Sequence, residues 1–201
     1  LSVLYYNLPF IFATLYRFPI IVSHGHSARG KRIKKSIRYY LHCLNRIYVV
    51  YASNYFLACS SLAGRWIFGD KTVEEGKVKI VPNPISTEHY KYQEDIRNSI
   101  RCELNISEDQ FVIGNVGRLS YVKNQLFLLD IFKEIKEKNK DSVLLIVGDG
   151  ELRVPIEKKI LDLNLKESVL LVGDRSDVYK LLQAMDVFVL PSHFEGLGIF
   201  L

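Results

Sequence analysis

The chain has 201 residues, of which 48% are hydrophobic and 24% charged, and its formal net charge is +5. This length and apolar content suffice for the core of one large domain or two small ones, which excludes an intrinsically disordered chain. Cys43, Cys59 and Cys102 are odd in number and widely spaced, which excludes a disulfide framework and a zinc site and predicts a reduced, intracellular protein.

The charge is unevenly distributed. Residues 1–69 contain nine Lys or Arg and no Asp or Glu, whereas the remainder contains eighteen basic and twenty-two acidic residues. This polarity predicts an anionic surface or ligand for the first part only. Leu1 in place of Met, and an apolar run that reaches Leu201, predict a fragment of a longer chain.

Residues 1–22 are apolar, but Pro9, Arg17 and Pro19 interrupt them and no cleavage-type sequence follows. The pattern therefore argues against a membrane span. A short buried strand is predicted at 20–23, directly before a pair of histidines.

A basic amphipathic helix is predicted to follow. At 100° per residue its apolar and cationic side chains fall on opposite sides. The apolar side comprises Ile33, Ile37, Leu41, Leu44, Tyr48 and Tyr51, and the cationic side Lys31, Lys35, Arg38, His42 and Arg46. Two interpretations stay open: a domain helix whose cationic side is solvated, and a helix that docks on anionic lipid head groups.

The rest of the chain predicts an α/β organisation. Strands are expected at 54–60 and 77–84, with a helix between them capped by Ser60 or Ser61. From Phe111, strands rich in Val, Leu and Ile alternate with helices, which predicts a parallel sheet covered on both faces. The predicted division is residues 1–84 as part of one domain, 85–110 as a linker with a lead-in helix, and 111–201 as most of a second.

In a sheet of this kind, ligands bind beyond the carboxyl ends of the strands. Four segments follow predicted strands: "GRLSYVKN", "GDGEL", "GDRSD" and "PSHFEGLG". Arg118 and Lys123 stand just before a predicted helix, and two cations at a helix amino terminus predict a diphosphate site. The alternative is that Lys123 is solvated and Arg118 pairs with a loop carboxylate such as Asp149.

The last segment combines a carboxylate with glycines. Glu195 can accept hydrogen bonds from sugar or ribose hydroxyls, and the N–H groups of Gly196, Leu197 and Gly198 can meet a phosphate. The alternative is a helix cap with Glu195 in the first turn. The sequence lacks G-x-G-x-x-G and G-x-x-x-x-G-K-[ST], which argues against a nicotinamide dehydrogenase or a P-loop enzyme.

These motifs, together with "ACSSLAGRWIFG" and "KVKIVPNP", resemble retaining nucleotide-sugar glycosyltransferases of family 4, and within it the bacterial capsular and exopolysaccharide enzymes. The resemblance implies a GT-B fold of the α/β class, with two Rossmann-like domains on parallel sheets, both truncated here. It implies a UDP-sugar donor held by the second domain, and no metal or cofactor. Departures are the absence of the family's early glycine-rich loop and Pro84 where the family often has glycine.

The resemblance also implies residue roles. Glu195 would contact the donor sugar as the first member of a Glu-x7-Glu motif, with His24 and His26 as weaker catalytic candidates. The remaining implied contacts are Gly117, Arg118 and Lys123 with the diphosphate, Gly173 and Arg175 near the nucleobase, and Gly196, Leu197 and Gly198 with the sugar and phosphate. The alternative for the histidines is two strand-end side chains bonded to nearby backbone.

The expected reaction is transfer of a sugar from a nucleotide-sugar to a saccharide or polyprenyl-linked acceptor, without nucleic acid as a partner. The positive first third predicts contact with an anionic membrane surface, at the cytoplasmic face. Two other enzyme classes stay open, a nucleotide-sugar epimerase and a sugar phosphorylase. A non-enzymatic alternative is a nucleic-acid binding module built on the basic helix.

Overall fold

A computed structural model describes residues 7–26, 37–84 and 87–194. The chain divides into two compact units after Pro84. Within the described ranges, each unit contains one all-parallel sheet, of three strands in the first unit and four in the second. The predicted α/β class with parallel sheets is confirmed.

The first unit has helices on one side of a small sheet. Its elements are α1 (Leu8–Leu15), β1 (Val22–Gly25), α2 (Ile37–Ala52), β2 (Tyr55–Ala58), α3 (Ser61–Phe68), α4 (Asp70–Glu74) and β3 (Val78–Ile80), and the strands pair in the order β1-β2-β3. The predicted cap of α3 is confirmed, because the Ser60 side chain accepts a hydrogen bond from the Ala63 amide at 3.2 Å. None of the helices in the described ranges has the length and apolarity needed to cross a bilayer.

Helix α2 packs against its unit with a mixed side, since Val49 and Val50 join the apolar core of the unit beside two polar residues. The His42 ring stacks on the Trp66 ring at a centroid distance of 4.1 Å and bonds to the Trp66 carbonyl, and Arg46 lies beside Gly69. The exposed side is apolar: Ile37, Tyr40, Leu41, Leu44, Ile47 and Tyr51. Ring stacking and a backbone acceptor on α3 hold His42 inward, and Arg46 is half-buried. Lys31 and Lys35 of the predicted cationic side lie outside the described residues, so both interpretations of this helix stay open.

The second unit is doubly wound. A 3-10 turn at Glu88–Tyr90 precedes α5 (Glu94–Glu103), β4 (Phe111–Val116), α6 (Gln125–Lys138), β5 (Ser142–Val147), α7 (Arg153–Asp162), β6 (Val169–Gly173), α8 (Val178–Gln183) and β7 (Val187–Phe188), with strand order β6-β5-β4-β7. Alternate residues of the strands serve two cores. Ile113 and Leu144 pack with α6 and α7, whereas Val112 and Leu145 pack with α5 and α8.

An ion-pair network fastens α5 to the start of β7. The Asp186 carboxylate accepts hydrogen bonds from Arg97 (2.5 Å), Arg101 (2.8 Å) and the Val112 amide (2.7 Å). The Arg101 side chain is only 4% exposed and also donates to three backbone carbonyls. Burial by itself would raise the pKa of Asp186, but the Val112 amide and the two guanidinium groups hold it below its ordinary value.

We expect Asp186→Asn to lower the free energy of unfolding by about 3 kcal/mol at pH 7, because it leaves buried Arg101 without its counter-charge. A carboxylate whose folded-state pKa is lowered contributes stability above its unfolded pKa of about 3.9 and loses it as the pH falls through the folded-state pKa. The difference between variant and wild type in urea unfolding should therefore shrink below about pH 4. Asp130→Asn removes a half-exposed pair with Lys159 and is the control. Equal losses in both variants would contradict a special role for Asp186.

Candidate functional site

The segments that follow the strands of the second unit lie side by side along one edge of the sheet, the last of them as far as it is described, at residues 191–194. Backbone hydrogen bonds join neighbours: Gly148 N–H donates to Gly173 O (2.7 Å), Leu119 N–H to Asp149 O (3.0 Å), and His193 N–H to Val122 O (2.9 Å). This continuity follows from the parallel strands, whose carboxyl ends meet at one edge. The structure thus brings together the segments that the sequence singled out.

Two of these segments touch backbone to backbone. Gly117 and Gly148 have φ of +149° and +129°, and a Cβ placed on Gly148 would overlap the carbonyl oxygen of Gly117. A Cβ on Gly150 would overlap the carbonyl oxygen of Leu119 in the same way. Only glycine permits this approach, so the two loops form one surface.

The candidate diphosphate residues lie on the loop between β4 and α6. The stem of Lys123 crosses Gly117, since a Cβ on Gly117 would lie 3.3 Å from Lys123 Cε. Arg118 is 75% exposed, its Nε donates to Glu151 Oε2 at 3.2 Å, and its Nη2 lies 3.2 Å from the same oxygen. An exposed pair of this kind costs little to open, so the guanidinium stays available to an anionic ligand.

The carboxylate that pairs with Arg118 differs from the one that the sequence suggested. Asp149 pairs with Arg153 at 3.2 Å, and Glu151 takes its place beside Arg118. The two acids alternate along the turn after β5, and that turn places Glu151 against the β4 loop. The alternative for Arg118, a pair with a loop carboxylate, is therefore observed, with Glu151 in place of the suggested Asp149.

Arg175 is committed to ion pairs. Its Nε and Nη2 each donate to the Asp177 carboxylate at 2.8 Å, and Nη1 donates to Glu103 at 2.9 Å. These hydrogen bonds raise the pKa of Arg175. The side chain thus ties the end of α5 to the loop after β6, while Gly173, with φ of +72°, lies in the row of bonded loops. A place near the nucleobase stays a prediction for both residues.

His24 and His26 lie at the carboxyl end of the first sheet, on the same side of β1 and exposed. Their ring centroids are 4.0 Å apart. Burial, and then the charge of His26, lower the pKa of His24. The lowered pKa favours the neutral ring of His24, and the catalytic role of both histidines stays a prediction.

Glu195, Gly196, Leu197 and Gly198 lie outside the described residues. Shortly before them, the backbone of Pro191 is bound to the β4 loop, because Asn124 Nδ2 donates to Pro191 O at 3.2 Å. The described residues contain no group of three or more His, Cys, Asp or Glu side chains placed to hold a metal ion.

Sequence reasoning missed two side-chain pairs at this edge. The rings of Tyr121 and His193 contact each other with centroids 4.7 Å apart, which joins the β4 loop to the β7 loop. Asn115 and Gln125 form a buried amide pair beneath the β4 loop. A polar Asn inside the apolar strand "FVIGNVG" was the available signal for that pair.

A cavity of about 580 Å³ lies elsewhere, in the first unit. It opens beside Asn54 and Lys77, at the amino ends of β2 and β3. Glu75 pairs with both of its lysines, Lys71 and Lys77. Because ligands of parallel sheets bind at the opposite edge, we assign the candidate site to the loops of the second unit instead.

Comparisons with known proteins define the family. The chain belongs to the family described as "Glycosyl transferases group 1", whose profile matches residues 96–201. EpsF of Bacillus subtilis (strain 168), named as a glycosyltransferase, is 32% identical over 190 residues, 94% of this chain and 49% of that protein. The UDP-Gal:alpha-D-GlcNAc-diphosphoundecaprenol alpha-1,3-galactosyltransferase of Escherichia coli is 39% identical over 133 residues, 63% of this chain and 34% of that protein. The chain thus spans about half or less of these relatives.

The fold is also found in solved structures. HepE of Anabaena, in complex with UDP and glucose, matches with a TM-score of 0.79 and 20% identity, over 94% of this chain and 51% of that one. The GT-B fold class and the family resemblance are confirmed.

Gly148→Ala should lower the free energy of unfolding by about 2–4 kcal/mol, through backbone strain and overlap with Gly117. Gly76→Ala is the control, because Gly76 also has positive φ (+70°) but no atom within 4 Å of its Cβ position. Gly76→Ala should lower the free energy of unfolding by only about 1 kcal/mol. Urea unfolding of both variants measures the difference, and similar losses would show that the loops do not interlock.

Proposed function

We propose that the protein acts as a retaining glycosyltransferase that transfers a sugar from a UDP-sugar to a lipid-linked or growing saccharide. The observation that carries the proposal is the unbroken row of bonded loops with Arg118 and Lys123 on its surface. Family membership supports the reaction class. The name of the Escherichia coli relative supports a UDP-sugar donor and an acceptor linked to diphosphoundecaprenol.

The row of loops suggests how a donor would lie. Strand order β6-β5-β4-β7 orders the loops as Gly173, then Asp149, then Arg118, then His193. In our proposal the base lies near Gly173, the diphosphate at Arg118 and Lys123, and the sugar near the chain that continues from His193 to Glu195. This order matches the linear sequence of base, diphosphate and sugar in the donor.

The cations would act on the leaving group. When the bond between the anomeric carbon and the diphosphate oxygen breaks, negative charge grows on UDP. Arg118, Lys123 and the amino terminus of α6 would stabilise that charge more strongly in the transition state than in the bound donor. We assign this role to side chains of the protein, without a metal or a cofactor.

Arg118→Ala is expected to weaken UDP binding by about ten- to a hundredfold, because hydrogen bonds to charged groups contribute about 1.5–3 kcal/mol. Calorimetry measures the dissociation constant, and radiolabelled sugar transfer to acceptor should fall in parallel. Lys138→Ala removes an exposed cation from the far end of α6 and serves as the control. Unchanged UDP affinity in Arg118→Ala would contradict the assigned site. Conversion of the donor without acceptor, or dependence on free phosphate, would indicate an epimerase or a phosphorylase instead.

We also propose that the protein works at the anionic cytoplasmic face of the membrane. The charge of the first part of the chain supports this, since residues 1–69, which include α2, contain nine Lys or Arg and no Asp or Glu. Aliphatic and aromatic side chains on a cationic element suit the boundary between head groups and acyl chains. A membrane location would bring a lipid-linked acceptor to the enzyme.

The membrane proposal predicts co-sedimentation with vesicles that contain phosphatidylglycerol, and weaker binding to phosphatidylcholine vesicles. Leu44→Glu should reduce the bound fraction at least several-fold, because it places a negative charge in the contact. Leu161→Glu changes an equally exposed leucine of the second unit and should bind as the wild type does. Identical binding by the two variants would rule out α2 as the contact.

A further inference from the structure

Two side-chain amides are buried beneath the loop that carries Arg118. Asn115 on β4 is 1% exposed, and Gln125 in the first turn of α6 is fully buried. Gln125 Nε2 donates to Arg118 O (3.2 Å) and to Asn115 Oδ1 (3.4 Å), while Gln125 Oε1 accepts from Ser120 N–H (3.4 Å). Asn115 Nδ2 donates to Val189 O at 2.9 Å, just beyond β7.

The surroundings make this polar pair unusual. Ile113, Leu119, Leu128 and Leu129 form the apolar core at this end of the sheet, so apolar residues would avoid the cost of burying amides. Hydrogen bonds offset that cost only if the partners are held in place. The amides fix the position of the β4 loop, because their hydrogen bonds connect β4, the β4 loop and the chain after β7.

The hydrogen bonds of Gln125 hold the backbone on both sides of the Arg118 side chain. Arg118 O and Ser120 N–H are bound by the same Gln125 amide group. Leu119 between them is fully buried and exchanges backbone hydrogen bonds with the β5 loop, through Asp149 and Leu152. The Arg118 side chain is exposed, but the chain from which it extends has no freedom to shift.

We propose that Gln125, supported by Asn115, is a positioning residue for donor binding: it holds the loop so that Arg118 meets the diphosphate without prior reorganisation. The inference rests on the proposed function, since it assigns Gln125 to the same site. It goes beyond it by giving a role to a buried residue that no donor atom needs to touch. Preorganisation of this kind is gained from partners that lock a loop in place.

Gln125→Met tests the role, because methionine has similar length and no amide. We expect the UDP dissociation constant to rise about tenfold, and the KM for the donor to rise while the KM for the acceptor does not. Gln183→Met is the matched control, since Gln183 is 6% exposed and its amide also bonds to backbone, at Gln93 N–H (3.1 Å) and Lys91 O (3.2 Å). It should lose comparable thermal stability and keep wild-type UDP affinity. Equal affinity losses in the two variants would overturn the inference.

A double-mutant cycle shows whether Gln125 acts through Arg118. In an Arg118→Ala background, Gln125→Met should change UDP affinity by less than about twofold, because the side chain to be positioned is gone. Fully additive losses would overturn the inference. Loss of UDP binding in Arg118→Ala, with none in Gln125→Met, would overturn it while leaving the proposed function intact.

Hydrogen exchange supplies a readout that needs no ligand. Gln125→Met should speed amide exchange at Leu119, Ser120 and Leu152, and Gln183→Met should not. Unchanged exchange at these amides would overturn the inference whether or not the chain binds UDP. Fast exchange in Gln125→Met together with absent UDP binding in the wild type would show that Gln125 holds the loop, but would refute the proposed function and with it the role of Gln125 in donor binding.

Discussion

The second unit depends on one constraint: its strands are all parallel, so the loops that leave their carboxyl ends crowd onto a single edge. Crowding alone would leave a gap between loops wide enough for side chains. Gly148 and Gly150 remove that gap, because a Cβ on either would overlap a carbonyl oxygen of the β4 loop and both adopt positive φ. Contact between backbones turns separate loops into one polar surface, and every candidate donor contact in the second unit depends on that surface or the chain leaving it.

The electrostatics of that surface differ from those of the rest of the unit. The Asp186 network is shielded from solvent, holds α5 to the sheet and is costly to break. Arg118 and Glu151 form an exposed pair that opens at little cost. The charged groups of the Asp186 network, which stabilise the fold, are thus largely buried. The Arg118 guanidinium, which is suited to binding, is exposed but extends from a backbone that Gln125 holds in place. A site of this design offers cations to a ligand with little reorganisation.

The first unit shows how far helical periodicity can be trusted. The pattern predicted the helix α2, and the structure has a helix there over Ile37–Ala52. The pattern did not determine which side packs inward. The usual assumption is that the apolar side does. Here the inward side combines Val49 and Val50, which join the core, with His42, which stacks on the Trp66 ring and bonds to the Trp66 carbonyl, while Leu44 and Ile47 are exposed.

The sequence by itself determined the alternation of strands and helices, the parallel sheets, the Ser60 cap and the segments that hold Arg118 and Lys123. These depend on local periodicity and on a rule about strand ends, both of which a linear pattern carries. Only the tertiary structure decided that Glu151 rather than Asp149 pairs with Arg118, that Arg175 is committed to carboxylates, and that Asn115 and Gln125 meet under the loop. Such pairings depend on the register between strands and on the directions in which side chains point across the fold. Neither is encoded in a short stretch of sequence.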